Sequence, residues 1–428
     1  MTIRVGVSKM NVGIISDVNL LEYIGGAERW IITLASELQK HNVNVTIFMP
    51  SKKYSRNRVY SIQTIALKSF YKSFGFETIA HGIPDPIMKK QLANVLKSYD
   101  VVIFNNLAIM FAPYIKSAKR IGVIHDYFPV CPLRLASCLD KAMNISPGNC
   151  SYCLFRENGF KTLDLYIFKS FIKKSLYAVD DVILQSESHY INMNILDKET
   201  LYKKPHILGP FLDKEVEEIL KSKGLPPKKD IAISYVGGLK MSRGFDRFVK
   251  IALNILNSSL IPISSLHIHG RLEERKMLPD LTRLVYQARS RGLNIHIGYI
   301  KYKELLEEFR NNLDIIITPS RCQEVASLTV LEAFALGSVA FSLRKTYGPY
   351  EYSLKILSQI SRDLTERYID IANELYMPIL NKNNTNLSAK ISDFINVYAD
   401  NNFYQVAGRE AIKISRENLK EMLRIILS

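Results

Sequence analysis

Short apolar runs alternate with amphipathic stretches along most of the chain. Val12–Ser16 (VGIIS), Val43–Phe48 (VNVTIF), Val101–Asn105, Ile121–His125 and Asp181–Gln185 (DVILQ) are rich in branched apolar residues and too short for helices. Runs of that kind predict buried strands. Between the first two lies Ala27–His41, where Trp30, Ile31, Leu34 and Leu38 recur at helical spacing. The loop Asp17–Gly26 before it ends in Gly25-Gly26. Strand, glycine turn, helix and strand make a βαβ unit, so the sheet is parallel and right-handed. Ser186 and Glu187 read as a turn after Asp181–Gln185, and Lys198–Lys204 as a polar loop.

The pattern breaks over Pro205–Pro227, where Pro, Gly and Lys predict an interdomain connection. A second series then starts. Ile231–Val236, Leu266–His269, Leu293–Ile297 and Leu313–Thr318 predict strands. Phe245–Leu256, Glu273–Arg291 and Tyr302–Arg310 predict the helices between them. Toward the end, Lys355–Leu380, Ser388–Tyr398 and Val406–Leu427 have helical spacing, with a loop over Asn381–Leu387. Two similar α/β halves with a hinge between them predict a cleft, which is where such folds bind ligands.

Composition narrows the partners more than the fold. The 428 residues carry a net charge of +16, which suits nucleic acid, an anionic membrane face or anionic substrates. Lys and Arg are spread along the chain rather than gathered in a stripe with aromatics, so specific nucleic-acid binding is not expected. No apolar run approaches a membrane span. The start, MTIRVGVSKMNVGIISD, lacks the apolar core of a signal peptide. The expectation is a cytoplasmic protein, peripheral if it meets the membrane at all.

Candidate chemistry concentrates in Pro319–Gly337, PSRCQEVASLTVLEAFALG. Ser327 caps a predicted helix that starts Leu328-Thr329, and Gly337 ends it. A strand, a loop and a helix N-terminus present free N–H groups to an anion. Glu324 in the loop and Glu332 on the second helical turn have seven residues between them, and Glu332 leans back toward the helix start. N–H groups for phosphate and carboxylates for vicinal hydroxyls suit a nucleotide sugar. Gly237-Gly238 follows the strand Ile231–Val236 and precedes Lys240 and Arg243, two cations able to clamp a diphosphate. Gly25-Gly26 lets backbone approach a phosphate or sugar. His125 beside Asp126 ends a strand, where it can hydrogen-bond a sugar or shuttle a proton. Cys131, Cys138, Cys150 and Cys153 fall in one short segment, the last two as C-x2-C. They fit a structural Zn²⁺ or free thiols. Glycine fingerprints for dinucleotides, P-loops, nucleophile elbows, zincin motifs and D-x-D are all missing from the sequence.

In order along the chain, GGAERWIITLASEL, VIHDYFPVCP, YVGGLKMSRGFD and PSRCQEVASLTVLEAFALG resemble the retaining GT-B glycosyltransferases of family four. The resemblance covers roughly Met10 to Gly337. It implies an α/β fold of two Rossmann-like, doubly wound domains facing across a cleft. Residues 1–207 would form the acceptor side and 208–400 the nucleotide-sugar side, with a helix over 401–428 crossing back to the first domain. Glu324 would contact the transferred sugar and Glu332 the ribose. Arg243 and Lys240 would neutralise the diphosphate, and His125 and Gly25-Gly26 would lie near sugar and acceptor. No metal would be required for catalysis, and the partners would be a nucleotide-sugar donor and a glycan or lipid-linked acceptor. Three stretches depart from the family, one of them beyond Gly337, where its usual G-G-x-x-E is only echoed by Gly348-Pro349-Tyr350-Glu351. Gly238 stands where the family often has Arg, and Ala326-Ser327 replaces its usual Phe-Gly. A non-hydrolysing epimerase on nucleotide sugars and a basic nucleic-acid-binding protein are the alternatives.

Overall fold

A computed structural model of the chain describes residues 9–20, 25–50, 55–59, 62–67, 86–131, 162–226, 230–343, 348–375, 385–400 and 402–428. They divide into two compact units. One holds the described residues up to Gly209 together with Asn418–Ser428, and the other runs from Pro210 to Glu417.

The first unit is built on an eight-stranded sheet in the order β3-β4-β2-β1-β5-β6-β7-β8. Its strands are β1 Asn11–Ile15, β2 Asn44–Pro50, β3 Ser55–Val59, β4 Ile62–Leu67, β5 Val101–Asn105, β6 Lys119–Ile124, β7 Asp181–Leu184 and β8 His206–Ile207. All pairings are parallel except β3 with β4. β1 and β5 read as continuous apolar runs because parallel strands are buried on both faces. Residues 12, 14 and 15 and the whole of β5 are buried. The chain's last turn belongs to this unit, where Lys119 Nζ donates to Ile425 O at 2.5 Å.

The second unit has a five-stranded, wholly parallel sheet in the order β11-β10-β9-β12-β13. Its strands are β9 Ile231–Val236, β10 Ile263–His269, β11 Asn294–Gly298, β12 Leu313–Thr318 and β13 Val339–Ser342. The strand order reverses at β9, which lies between β10 and β12. Loops leaving the carboxyl ends of β9 and β12 therefore flank the crevice where open α/β sheets bind ligands.

Several expectations change. The stretch Pro205–Pro227 contains β8 and the helix Lys214–Lys223. That helix is capped by Asp213, whose carboxylate accepts from Glu215 N, and it ends at Gly224 with φ 60°. Two Lys and a Gly are here the last turn and cap of a helix rather than a linker. Ser186 is likewise an N-cap, opening the helix Glu187–Leu196. The helix expected over Glu273–Arg291 starts at Leu278 after one 3₁₀ turn, with Pro279 in its first turn. Over Lys355–Leu375 there are two helices, because Ser361 caps a new one at Arg362. Thr385–Leu387, expected as loop, begins the helix Thr385–Asp400.

Candidate active site

In the second unit, the loops after β9 and β12 are tied together through their backbones. Arg321 N and Cys322 N both donate to Ser242 O, at 3.0 and 3.2 Å. Arg247 Nη1 donates to Ser320 O at 3.3 Å, and Arg321 pairs with Asp246. Tyr235 Oη bridges the first loop internally, donating toward Gly238 O at 3.0 Å and Arg243 O at 3.3 Å. Burial pushes its phenol up, so it stays a donor. Gly237 N donates to His269 O at 2.9 Å, fixing the loop to the end of β10.

This scaffold brings Arg243 against Glu324. Arg243 Nη1 lies 2.9 Å from Glu324 Oε1, with the carboxylate side chain 15% exposed and the guanidinium 48%. The carboxylate beside it raises the Arg243 pKa further, so the cation is permanent. Ser320 Oγ donates to the same Glu324 oxygen. Glu324 O in turn accepts from Gly348 N at 3.2 Å. A Cβ on Gly348 would fall 2.4 Å from Val325 O and 2.5 Å from Glu324 O, so the glycine lets the next helix close on the loop. The sequence GPYE around Gly348 thus supports the Glu324 loop directly.

Ser327 caps the helix Leu328–Ala335, its Oγ accepting from Val330 N at 3.3 Å. Leu328 and Ser327 are buried, Thr329 is half-buried, and Glu332 is fully buried. Tyr302 Oη donates to Glu332 Oε1 at 2.6 Å. Lys240 is placed differently from expectation: its Nζ sits 2.5 Å from Glu273 Oε2. A Cβ on Gly238 would fall 1.9 Å from Glu273 Oε1, the end of a flexible side chain that can swing away, so this contact alone does not require glycine. An Arg at 238 would have to displace that carboxylate, which Lys240 neutralises instead.

In the first unit, Gly25 N donates to the Glu28 carboxylate at 2.7 Å, which closes the helix start Gly26–Lys40 and engages the Gly25 N–H. Burial raises the Glu28 pKa. A Cβ on Gly26 would meet nothing, so space alone does not require glycine there. His125 N donates to Asn106 Oδ1 at 2.6 Å, and its ring packs edge-on against Trp30 at 5.0 Å. Asn106 holds φ 49° to do this, a conformation Asn tolerates better than most residues. Burial of the ring lowers the His125 pKa to about 3. The ring is therefore neutral near pH 7, which favours hydrogen bonding over proton shuttling. Cys131 closes a turn on Tyr127, its N 2.7 Å from Tyr127 O. Cys138, Cys150 and Cys153 lie outside the described residues.

His189, near by, is fully buried. Its Nε2 lies 3.1 Å from Asp126 O and its Nδ1 3.4 Å from Gln185 N, partners that suit one neutral tautomer. Burial lowers its pKa to about 3, against 6.5 when unfolded. Between those values the unfolded chain binds the extra proton, so stability is full above 6.5 and falls as pH drops below it. At about pH 5.5, one unit below the unfolded value, this histidine should cost about 1.4 kcal/mol. His189→Gln should flatten that part of the stability profile in denaturant titrations. An unchanged slope would mean that His189 does not carry it.

The architecture and these loops together define a GT-B glycosyltransferase fold, and solved structures agree. Sucrose-phosphate synthase (tll1590) from Thermosynechococcus elongatus superposes with a TM-score of 0.60 at 13% identity, covering 97% of this chain and 98% of that one. An E. coli structure described as trehalose-6-phosphate bound with UDP-2-fluoro glucose gives 0.58 at 11% identity, covering 97% and 98%. The catalytic domain of starch synthase IV from Arabidopsis thaliana, bound to ADP and acarbose, gives 0.53 at 14% identity, covering 94% and 99%. No curated protein matches the chain by sequence. Residues 216–353 match the family model for glycosyl transferases group 1. That stretch of the second unit therefore matches a glycosyl transferases group 1 domain, and the chain as a whole has the GT-B fold of these structures.

Proposed function

We propose that the protein is a retaining glycosyltransferase that moves a sugar from a nucleotide-sugar donor to an acceptor hydroxyl, in the making of a glycan, polysaccharide or glycolipid. The reading rests on Arg243 and Glu324, 2.9 Å apart at the carboxyl ends of the neighbouring strands β9 and β12. The bond to be broken joins an anomeric carbon to a diphosphate oxygen. A fixed cation serves the oxygen, where charge develops, and a carboxylate serves the sugar beside it. Because Arg243 is a permanent cation, no metal is needed to meet the leaving group. Ser327, Leu328 and Thr329 offer the helix start to phosphate, Gly237 lets backbone come close, and Glu332 takes the ribose hydroxyls. Lys240 reaches the diphosphate only by leaving Glu273. His125 and Gly25-Gly26 serve the acceptor and sugar. The net charge of +16 suits a lipid-linked acceptor on an anionic membrane face.

Calorimetric titration with UDP, GDP, ADP and their sugar conjugates tests this reading. The structural relatives bound to UDP-2-fluoro glucose and to ADP make the first and third nucleotides the natural starting points. One nucleotide should bind, and Glu332→Ala should weaken it by roughly 10- to 150-fold, the worth of a charge-assisted bond of about 1.5–3 kcal/mol. Unchanged affinity in the variant would leave Glu332 as the partner of Tyr302 and no more.

A further inference from the structure

One face of the second sheet carries a polar row that the transferase reading does not use. Register pairs His296 of β11 with His267 of β10, and His267 with Ser234 of β9. His269 lies two residues on from His267, so both rings project from the same face. Asp314 of β12 joins them, two residues from Ile316, which pairs with Ser234. The helix Tyr302–Asn311 brings Glu308 to the same place. Among the described residues, His267, His269 and Glu308 are the set whose ligand atoms cluster within 4.8 Å of one another.

The distances are close to those around a bound cation. His267 Nδ1 lies 3.5 Å from Glu308 Oε2 and 3.2 Å from Asp314 Oδ1. Tetrahedral zinc with bonds of about 2.0–2.1 Å places its ligand atoms roughly 3.3 Å apart. The contact of His269 Nε2 with Glu308 Oε2, 2.5 Å, would have to open by about 0.8 Å on the same geometry, and Asp314, which accepts from Ser234 Oγ and lies outside the 4.8 Å cluster, would have to draw in. The setting is dry. Asp314 is fully buried, and His267 and His269 are 2% and 5% exposed. Asp314 Oδ2 and His269 Nδ1 find no hydrogen-bond partner among the described residues. Buried charges are usually paired or coordinate a metal. Two carboxylates and two imidazoles converge here, a donor set that suits one divalent cation. Glu308, with its side chain 25% exposed, leaves a way in.

We propose that His267, His269 and Glu308, with Asp314 as a fourth oxygen donor, bind one divalent transition-metal ion of the zinc type. The ion is structural and separate from sugar transfer. Its ligands sit behind two parts of the proposed donor site. His269 O holds Gly237 N at 2.9 Å, and the helix bearing Glu308 also bears Tyr302, which holds Glu332. An ion here would stiffen the end of β10 and that helix together.

The test uses the full-length protein, stripped with a chelator and titrated with Co²⁺ and Zn²⁺. Co²⁺ should give the visible bands of a tetrahedral nitrogen–oxygen site without thiolate charge transfer, and Zn²⁺ should raise the thermal midpoint. Both effects should persist in Cys131→Ser/Cys138→Ser/Cys150→Ser/Cys153→Ser, which removes the other candidate ligands. Both should vanish in His267→Gln/His269→Gln. Should that double variant fail to fold, Glu308→Gln, altered at a partly exposed side chain, should weaken Co²⁺ binding by roughly tenfold or more. Absence of binding, a spectrum showing only thiolate ligation, or binding unaffected by Glu308→Gln would each overturn the proposal.

Discussion

Arg243→Met should lower kcat/KM for transfer by roughly 10²- to 10³-fold, the usual loss when one preorganised charge-stabilising donor is removed. Methionine keeps most of the side-chain volume and removes the guanidinium that Glu324 faces at 2.9 Å across the two loops. The rate can be read without knowing the acceptor, as slow transfer of the donor sugar to water. Arg243→Lys should recover part of the loss, since it restores charge but not the planar fork. The partner gives a different pattern. Glu324→Ala should lower kcat with the nucleotide affinity held within about threefold, because an interaction made only with the reacting sugar leaves ground-state binding alone. Transfer by Arg243→Met at more than a third of the original rate would remove Arg243 from the leaving-group role. It would then be a surface ion-pair partner of Glu324, of the kind that contributes little.

How much of this was legible in the sequence depended on whether the signal was local. Ile231–Val236 and Leu313–Thr318 match β9 and β12 residue for residue, since strands buried on both faces carry an apolar run that nothing else explains. β3 was not foreseen, because SRNRV is a polar strand at the sheet's edge, where one-sided pairing leaves little apolar signature. The loop residues Glu324 and Arg243 stood out by spacing and motif. Their supports did not. Ser320 is simply another hydroxyl until the loop folds it onto Glu324. Tyr302 lies thirty positions from Glu332, and only the packing of one helix against another joins them. The partner of Lys240 was hidden for the same reason: Glu273 is supplied by a different loop. The buried His267–His269–Glu308–Asp314 group is the extreme case. HIH reads as an ordinary strand end, and the carboxylates arrive from a helix and from a strand two places across the sheet.

The largest stability effect should come from a single methyl group at the joint between those two loops. Gly244 sits at the N-cap of the helix Phe245–Ser258 with φ 72°. A Cβ there would lie 2.0 Å from Pro319 O and 2.6 Å from Pro319 C. Those atoms are backbone, so they cannot rotate away as a flexible side chain would. The same joint carries the bonds from Arg321 N and Cys322 N to Ser242 O, which a displaced loop must stretch or lose. Two costs then add in Gly244→Ala. The left-handed conformation costs a residue with a Cβ about 1–2 kcal/mol, and moving two tied loops apart brings the total to about 3 kcal/mol or more. Gly292→Ala separates the two contributions. Gly292 has φ 73°, almost the same, but its Cβ would meet nothing within 4 Å. It should lose only the conformational part. Denaturant unfolding of both variants reads the difference directly. Sugar transfer should fall with stability in Gly244→Ala alone, since misplacing reacting groups by about 1 Å can cost roughly 10²-fold. If the two variants unfold within about 0.5 kcal/mol of each other, the usual range for unconstrained surface positions, the loops are not in the contact described. Arg243 and Glu324 would then be held together by their own ion pair rather than placed by the scaffold.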